Sequence, residues 1–236
     1  MEFEISTQIL LGLLTLTILE VILGIDNVIF ISILAGKLPK EKQAATRRNG
    51  LIIGMVVRVI MLLGISVILA LQKPLLQLWN YSFTGKDLVL LGGGIFLIYQ
   101  SVREIHEKLE TNRDEELGKK SKDVRNVMLQ LFLLNVVFSI DSVITAVGMV
   151  KHLWVMITAV LLSMVVMLLA AGPISSFVNK HPSIKILALS FLILIGVSLV
   201  AEGFHAHFDK GYIYSSMAFA FAVEMVNLRA VRSTKK

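Results

Sequence analysis

The chain contains no cysteine and few charged residues. Asp, Glu, Lys and Arg make up 17% of its 236 residues, against about 25% in an average soluble domain. The missing cysteine excludes disulfides, thiolate metal ligands and cysteine nucleophiles. The sequence also lacks the HExxH, GxSxG and dinucleotide-binding motifs of common enzymes. We therefore expect neither an enzyme nor an organic cofactor.

Hydrophobic residues make up 56% of the chain and are gathered in seven long blocks. A helix needs roughly 20 apolar residues to cross the ~30 Å hydrocarbon layer, and unbroken blocks lack the alternation of a barrel strand. The sequence therefore predicts an all-α membrane protein with seven transmembrane helices, forming one polytopic domain over residues 1–236. Pro173 is expected to end the fifth helix. The blocks lie at about 9–35, 50–71, 87–103, 127–149, 153–172, 185–203 and 212–230.

The Lys and Arg residues are distributed unequally between the predicted loops. If every block spans the membrane, 18 of the 23 basic residues lie on one side and four on the other, with Arg58 inside a helix. By the positive-inside rule the basic side is cytoplasmic, so the N-terminus lies outside and the C-terminus inside. The net charge of +6 then reflects membrane orientation, and we expect no nucleic-acid partner.

Two stretches resemble each other. "EVILGIDNVIF" at 20–30 and "NVVFSIDSVIT" at 135–145 align on Asp26 and Asp141. They lie in the first and fourth blocks, and an odd offset of three helices reverses direction, so we predict a 3+3 inverted repeat plus a seventh helix. Inverted-repeat transporters bind their ions near the bilayer midplane, at broken helices. The predicted parts are repeat one at about 9–103, a cytoplasmic connector at about 104–126, repeat two at about 127–203, and the seventh helix at about 212–230.

Carboxylates within the apolar blocks indicate an ion site. A charged residue at the bilayer centre costs roughly 2.5–3.5 kcal/mol on insertion scales, so it needs a partner, a proton or an ion. Unwinding at Gly24 would let Glu20 and Asp26 converge and would expose carbonyl ligands. A site made only of oxygen ligands suits Mn²⁺, Mg²⁺ or Ca²⁺ rather than zinc or copper. The candidate metal ligands are Glu20, Asp26, Asn27, Asn135, Asp141 and Ser142.

Two further charged residues lie within the apolar blocks. Arg58 and Glu224 both fall in the predicted cytoplasmic half of their helices. Their opposite charges and similar depth predict a structural ion pair between helices two and seven.

Several stretches closely resemble the TerC family of bacterial membrane proteins. They are "EVILGIDNVIF", "RRNGLIIGMVVR", "FSIDSVITAVG", "HPSIKILALSFLILIGVSLVAEGF" and "KGYIYSSMAFAFAVEMVNL", and the likeness covers about residues 10–230. The resemblance implies manganese efflux by an inverted-repeat transporter of the lysine-exporter superfamily. It also implies that the ion site contains Glu20, Asp26, Asn27, Asp141 and Ser142. The chain departs from the family at Asn135, where an acidic residue is frequent.

The function predicted first is transport of divalent cations, above all Mn²⁺ efflux, across the bacterial plasma (inner) membrane through the paired carboxylates. Ca²⁺ and Mg²⁺ remain open as transported ions. The alternative is a non-transporting, ion-binding membrane scaffold in a metal or tellurite stress-resistance complex, with a cytoplasmic partner docked at 103–126. A homo-oligomer also remains open. Metal uptake into inside-out vesicles distinguishes the transporter from the scaffold.

Overall fold

The computed structural model describes residues 7–64, 74–78, 81–110, 123–206 and 210–234. These ranges contain seven helices and one antiparallel hairpin of strands β1 (Pro74–Leu78) and β2 (Tyr81–Thr84). The helices are α1 (Thr7–Ala35), α2 (Lys40–Leu63), α3 (Gly85–Glu110), α4 (Val124–Met149), α5 (Leu153–Lys180), α6 (Pro182–Gly203) and α7 (Lys210–Thr234).

Local sequence explains several of the helix ends. The side chain of Asp123 accepts a hydrogen bond from the backbone N–H of Arg125, 3.2 Å away, and so caps the first turn of α4. Pro182 opens α6, where its fixed φ suits the helix and its missing N–H leaves no bond unmade. The sequences of α1, α4 and α6 are long and predominantly apolar, which is typical of helices within a membrane.

Five of the seven helices are long and apolar enough to cross a membrane. The structure therefore supports a multi-pass membrane protein, while seven spans and their orientation stay predictions. Within its described residues α2 does not meet the same standard, since it opens with a run of charged residues that includes Lys40, Lys42 and Arg48. The five candidate spans are α1, α3, α4, α5 and α6.

The second helix differs from the predicted block at 50–71. It begins at Lys40, ten residues before that block, and ends at Leu63. The earlier start follows from buried Thr46 and Gly50, which give the charged first half a face that packs inside the protein. Residues 65–71 lie outside the described ranges. The hairpin at 74–84 was not predicted, because its strands are short.

The prediction that Pro173 ends the fifth helix is wrong. Helix α5 continues through Pro173 to Lys180. Proline within a membrane helix is tolerated because neighbouring groups satisfy the freed carbonyl. The predicted cytoplasmic connector at 104–126 also begins as helix, because α3 continues to Glu110. Residues 111–122 of that connector lie outside the described ranges.

The chain folds as two compact units, of which the first comprises residues 1–86 and 121–176. It holds α1, α2, α4 and most of α5. Helices α1 and α4 run antiparallel, since Gly12 at the start of α1 adjoins Val150 after α4, whereas Ile31 and Leu131 both adjoin Gly50. All four helices contribute to its hydrophobic core, which consists of Leu16, Leu62, Val143, Ala146, Met156, Ala159 and Val160.

The second unit comprises residues 87–120 and 177–236 and holds α3, α6 and α7. Helices α3 and α6 cross at Gly94 and Gly196. A Cβ built on Gly94 would lie 2.7 Å from the Gly196 carbonyl oxygen, and one on Gly196 would lie 2.9 Å from the Gly94 carbonyl oxygen. Only glycine allows this approach, which is the usual role of small residues between membrane helices. At the end of α6, His205 contacts the Asp87 carboxylate at 3.0 Å.

Candidate functional site

The side chains of Glu20 and Arg58 form a buried ion pair between α1 and α2 in the first unit. Glu20 is 2% exposed and Arg58 is 6% exposed. Glu20 belongs to the stripe of α1 that faces the inside of the unit, because Leu16, Gly24 and Val28, spaced four residues apart, are buried with it. Two charged side chains are therefore held in an apolar interior by each other.

The guanidinium of Arg58 is not fully satisfied by this pair. Among the described residues, its Nε has no hydrogen-bond partner, although it is buried. A buried donor without a partner costs roughly 1–3 kcal/mol, and buried N–H groups are normally satisfied. The orphaned donor indicates that this part of the protein accommodates a polar group or a water molecule in addition to Glu20.

A cavity of about 20 Å³ lies beside Arg58, within the same four-helix unit. This is the volume open to the centre of a water-sized sphere, of which one water molecule needs roughly 10–15 Å³. The cavity therefore has room for one water molecule or one small ion. Its polar lining residues are one arginine and two asparagines, and three methionines also line it. The lining residues are Asn27, Leu51, Gly54, Met55, Arg58, Asn135, Val160, Met164 and Met167.

Asn135 is held in a fixed orientation at the cavity. Its Nδ2 donates to the carbonyl oxygen of Leu131 at 2.8 Å and to that of Gly50 at 3.4 Å. The Oδ1 atom is turned to Gly54 on α2, where an added Cβ would overlap it. Because Gly54 has no side chain, there is room beside it for both the carboxamide of Asn135 and the cavity.

Asp26 lies apart from this cavity. Helix α1 is continuous through Gly24, so the predicted unwinding there is wrong. The reason is packing, because Gly24 is buried against the side chain of Met167 on α5. In a continuous helix Glu20 and Asp26 point about 120° apart. Asp26 is partly exposed and is not among the residues that line the cavity. Its neighbour Asn27 does line it.

The corresponding part of α4 presents hydroxyl groups beside Asn135. Ser139 and Ser142 follow Asn135 at four and seven residues, and all three are buried on one face of α4. The Ser142 hydroxyl donates to the Ser139 carbonyl oxygen at 3.2 Å. The backbone of Asp141 belongs to the same unbroken helix, and its side chain lies outside the described part of the structure.

The predicted ligands are thus only partly brought together. Asn27 and Asn135 meet at the cavity, whereas the Glu20 carboxylate is held by Arg58. Within the described ranges, no three His, Asp or Glu side chains are grouped as they would be around a metal ion. The metal site therefore stays a prediction.

The partner of Arg58 was missed from the sequence. Arg58 pairs with Glu20, and Glu224 lies on α7 in the second unit. The predicted pairing of Arg58 with Glu224 stays a prediction. A signal for the observed pair was available: Arg58 is the one basic residue within the predicted apolar blocks one and two, and Glu20 is an acid in the adjacent block.

Comparisons with known proteins agree that the chain is a membrane protein. The family model described as "Integral membrane protein TerC family" matches residues 5–236. The chain is 48% identical over 235 residues to UPF0053 inner membrane protein YoaE of Escherichia coli, covering 99% of this chain and 45% of YoaE. It therefore spans about half the length of that relative. No solved structure matches the chain.

Two shorter relatives match along most of their own length. The chain is 46% identical over 235 residues to a UPF0053 protein of Haemophilus influenzae, which covers 99% of both chains. It is also 46% identical over 218 residues to UPF0053 inner membrane protein YgdQ of Escherichia coli, which covers 92% of both. The names of YoaE and YgdQ and the five apolar helices agree on a multi-pass protein of the inner membrane.

Proposed function

The chain belongs to the TerC family of integral membrane proteins, and on this premise we propose that it carries divalent cations, above all Mn²⁺, out of the cell. The observation that carries the proposal is the cavity with polar lining residues between the four helices of the first unit. Its carboxamides are oxygen ligands in a setting from which polar groups are normally excluded. Oxygen ligands suit Mn²⁺, Mg²⁺ and Ca²⁺.

The carboxylates complete the proposed path. Asp26 adjoins Asn27 on α1, and Asp141 follows Asn135 by six residues on α4. Since Asp26 does not line the cavity in this conformation, we assign the two aspartates to the step by which the ion enters or leaves it. Ser142, one residue beyond Asp141, offers a further oxygen.

The inverted repeat is part of this proposal. Shifting α1 by 115 residues places Glu20 on Asn135, Gly24 on Ser139 and Val28 on Val143, so both buried faces are made of equivalent positions. The antiparallel course of α1 and α4 supports such a repeat. So does the composition of the two units: the first holds the proposed partners α1 with α4 and α2 with α5, and the second holds α3 with α6.

Flux measurements test the function. The purified protein is reconstituted into liposomes, and entry of Mn²⁺, Mg²⁺ and Ca²⁺ is followed with a fluorescent indicator against protein-free liposomes. We expect Mn²⁺ flux that saturates and is competed by the other two ions. A protein that binds Mn²⁺ but does not move it would leave the ion-binding scaffold as the better function.

Gly54→Ala is expected to reduce Mn²⁺ binding while the protein stays folded. The added methyl overlaps the carboxamide of Asn135 and takes up the cavity. The matched control is Gly172→Ala on α5 in the same unit, where a Cβ meets nothing within 4 Å. Both changes gain helix propensity of up to about 1 kcal/mol, so only the cavity distinguishes them. Equal Mn²⁺ affinity of the two variants would remove the cavity from the ion path.

The predicted orientation is tested at one residue at the start of α2 and one in the hairpin after it. The chain has no cysteine, and Glu41 and Ser82 are both exposed, one at the start of α2 and the other in the hairpin that follows it. We expect an impermeant thiol reagent to label Ser82→Cys in intact cells and to reach Glu41→Cys only after the membrane is opened. The opposite pattern would reverse the orientation.

A further inference from the structure

The exposed side of α2 changes from basic to apolar along the helix. Lys42 and Arg48 are exposed in its first half, and Ile52, Val56 and Ile60 are exposed in its second half. Arg48, Ile52 and Val56 follow one another at intervals of four residues, so they lie along one side of the helix. A row of exposed side chains therefore runs along α2, with positive charge at its first end and apolar groups beyond.

The opposite side of α2 is buried within the first unit. Thr46 and Gly50 are both buried, and a Cβ built on Gly50 would lie 2.9 Å from the side chain of Leu131 on α4 and 3.4 Å from that of Ile31 on α1. These contacts fix the rotation of α2, so the basic and apolar row is directed away from the core of the unit.

The first end of the row carries an excess of positive charge. Residues 40–48 contain four basic side chains and one acidic side chain, Glu41. Lys40, Lys42 and Arg48 are exposed, and none of them forms an ion pair with a carboxylate in the part of the chain that the structure describes. This surface is therefore complementary to an anionic partner.

The buried ion pair indicates the depth of this surface in the membrane. Glu20 lies at the middle of α1, so a span centred on the bilayer places Glu20 and its partner Arg58 near the midplane. Arg48 precedes Arg58 by ten residues of continuous helix, or about 15 Å along the axis. Half of the hydrocarbon layer is also about 15 Å thick. Arg48 thus lies where the acyl chains meet the headgroups, and the apolar part of the row lies among the acyl chains.

We propose that the basic end of α2, defined as Lys40, Lys42, Arg47 and Arg48, binds the phosphate headgroups of anionic phospholipids. Lys and Arg beside a membrane attract anionic lipids, and the guanidinium of arginine matches the geometry of phosphate oxygens. The inference goes beyond the proposed function and does not depend on it.

A lipid fits the row better than a soluble partner does. An anionic lipid offers a phosphate to Arg48 and acyl chains to Ile52 and Val56, which are exposed beside it. A free phosphate ion or an acidic protein in the aqueous phase would contact the charged end alone. The two-part chemistry of the row therefore favours the phospholipid.

The test uses a single fluorophore at the basic end. The chain has no cysteine, and Ala45 is exposed between Lys42 and Arg48, so Ala45→Cys is labelled at one position. The labelled protein is reconstituted into phosphatidylcholine vesicles that contain nitroxide-labelled phosphatidylglycerol or nitroxide-labelled phosphatidylcholine. We expect half-maximal quenching at about tenfold less nitroxide phosphatidylglycerol than nitroxide phosphatidylcholine.

Variants in the labelled protein identify the charges responsible. Lys42→Gln combined with Arg48→Gln removes two exposed charges without disturbing the fold, and we expect the two lipids then to quench equally within about twofold. Lys42→Arg combined with Arg48→Lys keeps both charges and should keep the preference. The matched control is Lys151→Gln, which removes an exposed charge after α4, at the opposite end of the unit, and should leave the preference unchanged.

Two results would overturn the proposal. One is equal quenching by the two lipids in the protein with its basic end intact, and the other is an undiminished preference for phosphatidylglycerol after Lys42→Gln and Arg48→Gln. Both are read from lipid binding alone, so neither bears on whether the protein moves Mn²⁺.

Discussion

Replacing Arg58 with methionine is expected to destabilise the folded protein by about 3–5 kcal/mol, because the carboxylate of Glu20 is left buried without its counter-ion. Methionine keeps the length of the side chain and its apolar contacts with the cavity wall, so the loss reports charge rather than volume. The measurement is reversible unfolding of the purified protein in mixed micelles, followed by circular dichroism.

The control is Arg48→Met on the same helix. Arg48 is exposed, so its replacement should change the free energy of unfolding by about 0.5 kcal/mol at most. Adding Glu20→Met to Arg58→Met removes the unpaired charge and should recover most of the stability, since apolar side chains of similar volume in place of a buried ion pair are often harmless. An Arg58→Met protein as stable as the wild type would show that the ion pair does not stabilise the fold.

The apolar helices could largely be predicted from the sequence. Helix α1 spans Thr7–Ala35 against a predicted 9–35, and α4 spans Val124–Met149 against 127–149. Their length and continuous hydrophobicity leave few alternatives, because a backbone in lipid must satisfy its own hydrogen bonds. Helix α2 was placed less well, since hydropathy does not detect a helix whose first half is charged and packs through a few small residues such as Gly50.

The elements that depend on tertiary packing could not be predicted. Gly24 suggested a break in α1. In the structure the helix is continuous, and the absence of a side chain at Gly24 lets Met167 of α5 pack closely against it. Pro173 suggested a helix end, yet α5 continues past it. In both cases a local signal permits two structures, and the neighbouring helix decides between them.

The candidate site shows the same limit. The carboxamides of Asn27 and Asn135 were predicted to belong together, and they do line one cavity. The partner of Arg58 depends on how α1 packs against α2, since the paired residues are 38 positions apart in the sequence, and composition does not define that packing. Sequence indicates which charges need a partner, and only the fold shows which partner each one takes.

Asp26→Asn and Asp141→Asn are each expected to reduce Mn²⁺ flux about 100-fold or more while the protein still inserts and folds. Asparagine keeps the size and hydrogen bonding of aspartate and removes one charged oxygen ligand, and a 100-fold loss corresponds to about 2.8 kcal/mol. Since the two aspartates serve one ion, the double variant should be little worse than either single variant. Flux is measured in liposomes as above, and folding is checked by monodispersity and circular dichroism.

The matched control is Asp123→Asn at the start of α4. Asp123 is exposed and caps the helix, and asparagine caps almost equally well, so neither stability nor flux should change. Because carboxylates bind a metal only when deprotonated, wild-type Mn²⁺ affinity should also fall as the pH is lowered. Flux that persists in both Asp26→Asn and Asp141→Asn would exclude the aspartates from the ion path, and the ion would then have to cross the unit through the cavity beside Arg58 alone.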